Sequence, residues 1–324
     1  MFTSFFVYMT ENNDMHAENG AKDKPKNDVK DTLLSSLSPI IVLGIFILII
    51  QLLSLALAVP MGEADMRAFE NPEAVSNSIY YILMILVFTG FILLVLKYNK
   101  KWMVNLFIQF AVLSTIYYVA YAIVPNVLIA IVPALALTVV INKYPEWFVI
   151  DIVGIIIGVG ASTVFGISLA IIPTIVLLIL LAVYDAIAVY KTKHMLKLAE
   201  GVMDMKAPIL FVVPKKWGYS FLKEKFDPEG ERDAYFMGLG DAVMPTILVV
   251  SANVFIVGAT SVAIPLVGNV NLPAIGAIVG TAIGFAVLMY VVRGGKPQAG
   301  LPFLNGGVIA GYLVGCAIAG VPFV

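Results

Sequence analysis

One cysteine and two histidines are all that 324 residues contain of the residues best suited to soft-metal ligation. The single Cys316 lies in the last apolar run, so neither a disulfide framework nor a Cys-based metal site is available. His16 and His194 both stand in polar segments, and no metal or other cofactor is expected. Charge is equally scarce. Only 13% of residues are charged, against about 25% in soluble domains, while 60% are hydrophobic and the mean hydropathy is +0.97. A soluble globular fold is excluded. The net charge of −1 says nothing about nucleic acid, but no basic stripe exists outside the loops, and no nucleic-acid partner is expected. There is no ten-residue alternating pattern of a membrane barrel. A basic start, a short apolar core and a small-residue cleavage site are all missing at the N-terminus, so no cleaved signal peptide is expected.

What the chain has is apolar runs near the length that crosses a bilayer. Nine are visible, at about 33–59, 78–97, 103–124, 126–142, 147–164, 166–190, 235–258, 270–292 and 301–323. The expected fold is an all-α polytopic membrane protein with nine transmembrane helices. Its parts are a flexible tail (1–32), a six-helix part (33–190), a polar loop (191–234) and a three-helix part (235–324). The fourth and fifth runs are short and closely joined, so a merged or re-entrant pair is the main alternative. Basic residues mark the cytoplasmic side of such proteins. Nine spans put 19 of the 20 Lys and Arg on one side and leave only Arg67 on the other. The N-terminus is therefore expected in the cytoplasm and the C-terminus outside. The first three runs are bulky and read as lipid-facing scaffold. The later ones are rich in small residues, with Gly276, Gly280 and Gly284 on one face and Gly307, Gly311 and Gly315 on another, which lets backbones approach.

Two carboxylates interrupt this apolar background. Asp185 lies five residues before the end of the sixth run and Asp241 six residues into the seventh, which places both at about the same depth. With 1.5 Å of rise per residue, that is roughly 7–9 Å below the cytoplasmic boundary. Charged groups at such depth are costly and usually functional. A pair of carboxylates sharing a site holds one proton between them. The ionised member can take a proton from water while the protonated member polarises a peptide carbonyl. Gly238 and Gly240 flank Leu239 just ahead of Asp241, where a missing side chain admits a substrate backbone or a facing helix.

Blander readings apply to each feature. The Asp pair also suits an ion or proton relay, and a carboxylate-dependent transporter or channel is the alternative function. That reading predicts inverted repeats and broken helices in the two halves, and no repeat is visible. Either Asp could pair with a neighbouring lysine, and a silent scaffold would leave both carboxylates unexplained. Asp151, four or five residues into the fifth run, reads as interfacial or structural. Gln51, Gln109 and Asn253 read as interhelical hydrogen-bond partners, and Tyr184 as packing or site lining. Between the two carboxylates, Lys191–Ala234 is long for a connection. It holds an apolar run, Ile209–Val213, that could offer a strand edge to an unwound substrate or lie on the membrane surface.

Tyr184-Asp185 on one run and Gly238-Leu239-Gly240-Asp241 on the next resemble the paired motifs of the presenilin and signal peptide peptidase family of intramembrane aspartyl proteases. The resemblance extends over all nine runs. The family's Pro-Ala-Leu motif aligns with Ala299-Gly300-Leu301, followed by Pro302, so the proline is missing and glycine replaces alanine. The resemblance implies that Asp185 and Asp241 are catalytic and that Ala299–Leu301 lies beside them. It also implies transmembrane substrates, a multi-pass location in lipid and no cofactor. An oligomer is left open. The N-inside arrangement resembles the presenilin branch, and the chain resembles a prokaryotic or archaeal type. The location is then the cell membrane, or an endomembrane if the source is eukaryotic.

Overall fold

The structure is a computed structural model that describes residues 26–98, 101–192, 209–215, 218–222, 233–292 and 298–323. Most of the proposed 1–32 tail and of the 191–234 loop lies outside the described residues. Among those described, the chain forms nine α-helices: α1 (Lys26–Glu63), α2 (Ser76–Lys97), α3 (Lys101–Ile123), α4 (Val127–Lys143), α5 (Trp147–Ser168), α6 (Ile171–Ile187), α7 (Leu239–Phe255), α8 (Leu272–Val292) and α9 (Leu301–Ala319). Seven of them are long and apolar enough to cross a membrane. The other two, α4 and α7, have 17 residues each. The fourth and fifth runs are separate helices rather than one merged element, parted by a Tyr144–Glu146 turn.

Local sequence explains where the helices start. Pro173, Pro273 and Pro302 all stand in the first turn of their helices, where a missing N–H costs nothing. Asn126 caps α4 by accepting from the Leu128 and Ile129 amides. Gly320 ends α9 in the left-handed region at φ 67°.

The seventh run contradicts a single helix. Its first residues form a strand, β2 (Ala234–Gly238), antiparallel to β1 (Leu210–Pro214), and only then does α7 begin. Strand and buried helix are both uninterruptedly apolar here, so hydropathy alone does not separate them. A second hairpin, β3 (Ser261–Ile264) and β4 (Gly268–Asn271), joins α7 to α8.

Helix α5 is central. Its face at Gly154, Gly158, Ser162 and Gly166 meets β1 and α7: Ser162 Oγ donates to the Val243 carbonyl at 3.4 Å, and a Cβ on Gly166 would clash with Val250. Helix α1 buries Leu43, Ile47, Ile50 and Ser54 and bonds to α5 through Ser54 Oγ and the Val159 carbonyl, so it belongs to the core rather than to a lipid-facing scaffold. Helices α8 and α9 lie backbone on backbone. A Cβ on Gly280 would fall on the Gly307 carbonyl, and one on Gly311 on the Gly276 carbonyl. Two amides expected to link helices do otherwise. Gln109 bonds Asn105 on its own helix, and Asn253 holds the β4 backbone at Asn269 and Asn271.

Candidate active site

Asp185 is the third residue from the end of α6, and Asp241 the third from the start of α7. Each therefore stands two residues inside the end of its α-helix, although α6 runs on as a π turn to Thr192. Both side chains are buried, Asp185 fully and Asp241 at 2% exposure.

The segment before α9 brings them to one place. The Leu301 amide donates to Asp185 Oδ2 at 3.2 Å. A Cβ added to Gly300 would stand 3.3 Å from Asp241 Oδ1 and 3.4 Å from its Cγ. Two adjacent residues thus lie against both carboxylates. Glycine at 300 leaves the Asp241 carboxylate in direct reach of the backbone; a methyl there would crowd it by a few tenths of an ångström. Ala299 and Leu301 are fully buried.

Each wall of the site has a local cause. Gly238 caps α7 in extended conformation (φ −65°, ψ 136°) and ends β2, so the turn from strand to helix sets Asp241 within the first helical turn. Pro245 stands four residues on. Having no N–H, it cannot make the helical bond to the carbonyl of residue 241, which loosens the turn that carries Asp241. At the end of α6 the helix widens into a π turn, Ala188–Thr192. π turns of this kind recur at functional sites. Its Tyr190 hydroxyl donates to Gln298 Oε1 at 2.7 Å and accepts from the Ala299 amide at 3.3 Å. Asn305 on α9 donates to the Leu178 carbonyl of α6 at 2.9 Å. Residues 298–305 are therefore held by four hydrogen bonds to Leu178 and Asp185 of α6 and to Tyr190 of the π turn.

Of the sequence candidates, Asp185, Asp241, Gly300 and Leu301 converge. Gly240 lines an apolar cavity of about 230 Å³ with Tyr81, Phe88, Phe107, Val112 and Ile209. Leu239 lines it too and packs near α5, 3.3 Å from where a Gly158 Cβ would sit. Tyr184 is half-buried and joins the cluster that includes Phe88 and Phe91 of α2, which fits packing. Pro302 serves the helix start. Tyr190, Gln298 and Asn305 were not singled out from sequence. A polar residue in an apolar helix was the available signal for Asn305, and nothing in the sequence marks the Tyr190 pairing.

The strand expected at Ile209–Val213 forms, but the edge it would offer at Val212 is taken. The Val212 amide donates to Asp151 Oδ1 at 2.8 Å.

The fold and site define a polytopic helical membrane protein with two buried carboxylates gathered by a third segment. The family model for signal-peptide peptidase, presenilin aspartyl protease matches residues 43–321, and the chain belongs to that family. Two solved structures of a presenilin family intramembrane aspartate protease are similar at 37% identity. One, in space group C222, has a TM-score of 0.64 and the match covers 87% of this chain and 100% of that one. The other, in P2, has a TM-score of 0.61 with 85% and 96% covered. No curated protein matches the chain. The protein is an intramembrane aspartyl protease of the multi-pass membrane class, and membership in the family implies transmembrane substrates.

Proposed function

We propose that Asp185 and Asp241 are the catalytic pair of a Gly-x-Gly-Asp type protease that hydrolyses peptide bonds inside a substrate's transmembrane helix. The observation that carries this is the contact of one Gly300–Leu301 unit with both carboxylates. Water bound between the pair loses a proton to the ionised carboxylate as its oxygen attacks the scissile carbonyl carbon. The protonated carboxylate donates to the carbonyl oxygen, giving a tetrahedral diol. Collapse of the diol returns a proton to the departing nitrogen and leaves a new carboxyl group and a new amine. No residue is acylated. The pair acts as one unit, so base and acid are roles shared between the two groups.

A helical substrate hides its carbonyls and must unwind first. The apolar cavity between α2, α3, α5 and α7 is lined by Gly240, one residue from Asp241, and is the entry assigned to an unwound stretch of substrate on this reading. Leu239 and Gly240 line that cavity, and on this reading Gly238, Ala299, Gly300, Leu301, Pro302 and Tyr184 complete the contacts with substrate. The charge bias supports nine crossings with the N-terminus in the cytoplasm and substrates whose N-terminus is outside. At 1.5 Å per residue, the 17-residue α4 and α7 reach about 25 Å of a core about 30 Å thick. The division into a 1–32 tail, a 33–190 part, a 191–234 loop and a 235–324 part follows, and the cell membrane of a prokaryote is the proposed location.

The test is purified protein in liposomes with a single-span reporter, its products located by mass spectrometry. Cleavage at peptide bonds within the span is expected. Intact reporters of several sequences, together with carboxylate-dependent ion flux through the same liposomes, would replace this reading with a transport function.

A further inference from the structure

Asp151 is a buried carboxylate that the dyad chemistry leaves unused. It is 3% exposed, in the second turn of α5. Its Oδ1 accepts from the Val212 amide at 2.8 Å, while among the described residues Oδ2 is buried with no hydrogen-bond partner. A carboxylate buried on one bond is costly. An apolar side chain would fill the place at lower cost, so its contribution lies in that bond.

The strand pairing shows why Val212 needs it. The Lys215 amide donates to the Asp233 carbonyl at 2.8 Å and the Leu239 amide to the Ile209 carbonyl at 3.0 Å. In an antiparallel pair such bonded positions alternate with non-bonded ones. The register Phe211–Met237 and Val213–Tyr235 therefore carries the ladder, and Val212–Phe236 and Pro214–Ala234 do not. Pro214, with no N–H to give, fits this parity. The Val212 amide points away from β2, toward α5.

Helix α5 thus grips the hairpin along one face. Asp151 holds Val212. One turn on, Gly154 leaves room for the Phe211 ring, 3.1 Å from where a Cβ would be. Gly158 faces Leu239 at the start of α7. At the mouth of α5, Glu146 accepts from Ser220 Oγ at 2.7 Å and from the Phe221 amide at 3.1 Å. From Asp151 the bonds run through Val212, the β1–β2 ladder and Leu239 to Asp241, two residues further on.

We infer that Asp151 is a positioning residue: by fixing β1 against α5 it sets the placement of β2 and the first turn of α7, and so of Asp241. This rests on Asp185 and Asp241 being the catalytic pair.

The experiment compares Asp151→Ala, Asp151→Asn, Val212→Pro and the Asp151→Ala/Val212→Pro double variant with wild type. It reads reporter cleavage and, separately, amide hydrogen exchange of residues 210–214 and 234–238. Proline at 212 removes the donor while sparing the ladder. Asn keeps an acceptor oxygen. Expected for Asp151→Ala and Val212→Pro are faster exchange in both strands and a kcat lower by roughly tenfold to a hundredfold, the scale for a small misplacement of a reacting group, with KM little changed. The double variant is expected to be no worse than either single one, and Asp151→Asn to stay within about threefold of wild type. Wild-type exchange in Asp151→Ala, multiplicative losses in the double variant, or Asn as impaired as Ala would each overturn the proposal. If Asp151→Ala fails to fold, Val212→Pro and Asp151→Asn decide it. If wild type cuts no reporter, the cleavage arm reports on the proposed catalytic pair, and the exchange data alone decide whether the clamp exists.

Discussion

Helices α8 and α9 and helices α2 and α3 are two adjacent pairs built in opposite ways. The first pair meets through glycine, carbonyl against Cα, over a little more than two helical turns from Gly276 to Gly284 and from Gly307 to Gly315. The second meets through rings: Phe107 of α3 stands edge to face against Phe88 and Phe91 of α2, with centroids 5.7 and 5.3 Å apart. Both rings Phe88 and Phe107 also line the cavity that ends at Gly240. Backbone contact admits one geometry, since nothing can rotate out of the way. Ring contact admits several, since side chains can change rotamer. The tight pair carries the segment 299–301 that touches Asp185 and Asp241, and the loose pair lines the cavity proposed to admit a substrate. On the proposed mechanism the two styles of packing divide the labour between aligning the two carboxylates and admitting the substrate.

Substitutions on each side sharpen that division. Gly311→Val drives a branched side chain into the Gly276 carbonyl. Overpacking costs about 1–3 kcal/mol even where side chains can shift, and here only backbone is available, so the upper end and a clear fall in melting temperature are expected. Asn305→Ala removes the α9 bond to the Leu178 carbonyl. It should cost about 1–2 kcal/mol and lower kcat more than it raises KM, because the shifted segment touches the dyad. Phe107→Ala, on a side chain already 44% exposed, should change the melting temperature little. Its effect of about threefold should fall on KM, as only uniform binding is lost. Smallest is Tyr190→Phe, which deletes the hydroxyl that holds Gln298 and Ala299. A drop in kcat of about twofold with unchanged melting is expected. A zipper variant that alters only KM, or a Phe107 variant that unfolds the protein, would erase the contrast.

Much of this was legible in the sequence. The glycine spacing gave the α8–α9 contact because a four-residue repeat puts small residues on one helical face whatever the surroundings. The place of Asp185 near the end of one helix and of Asp241 near the start of the next was readable because it needs only counting along an apolar run. That Ala299–Leu301 meets both carboxylates came from resemblance alone, since no local rule predicts a contact across 116 residues from Asp185 to Leu301. The strand before Asp241 was not legible, as a fully buried strand and a buried helix share one hydropathy pattern. Nor was the Asp151–Val212 bond: its parity depends on which face of a hairpin turns to α5, which no single segment encodes.

The central claim is that Asp185 and Asp241 work as one catalytic unit at the point where residues 300 and 301 gather them. The measurement is the cleavage rate of a single-span reporter in liposomes by wild type, Asp185→Asn, Asp241→Asn and the double variant, each confirmed folded by its melting curve. A shared dyad predicts that either single change removes cleavage by on the order of a thousandfold or more and that the double change removes no more. Two folded single variants that still cut, or losses that multiply in the double variant, would contradict it.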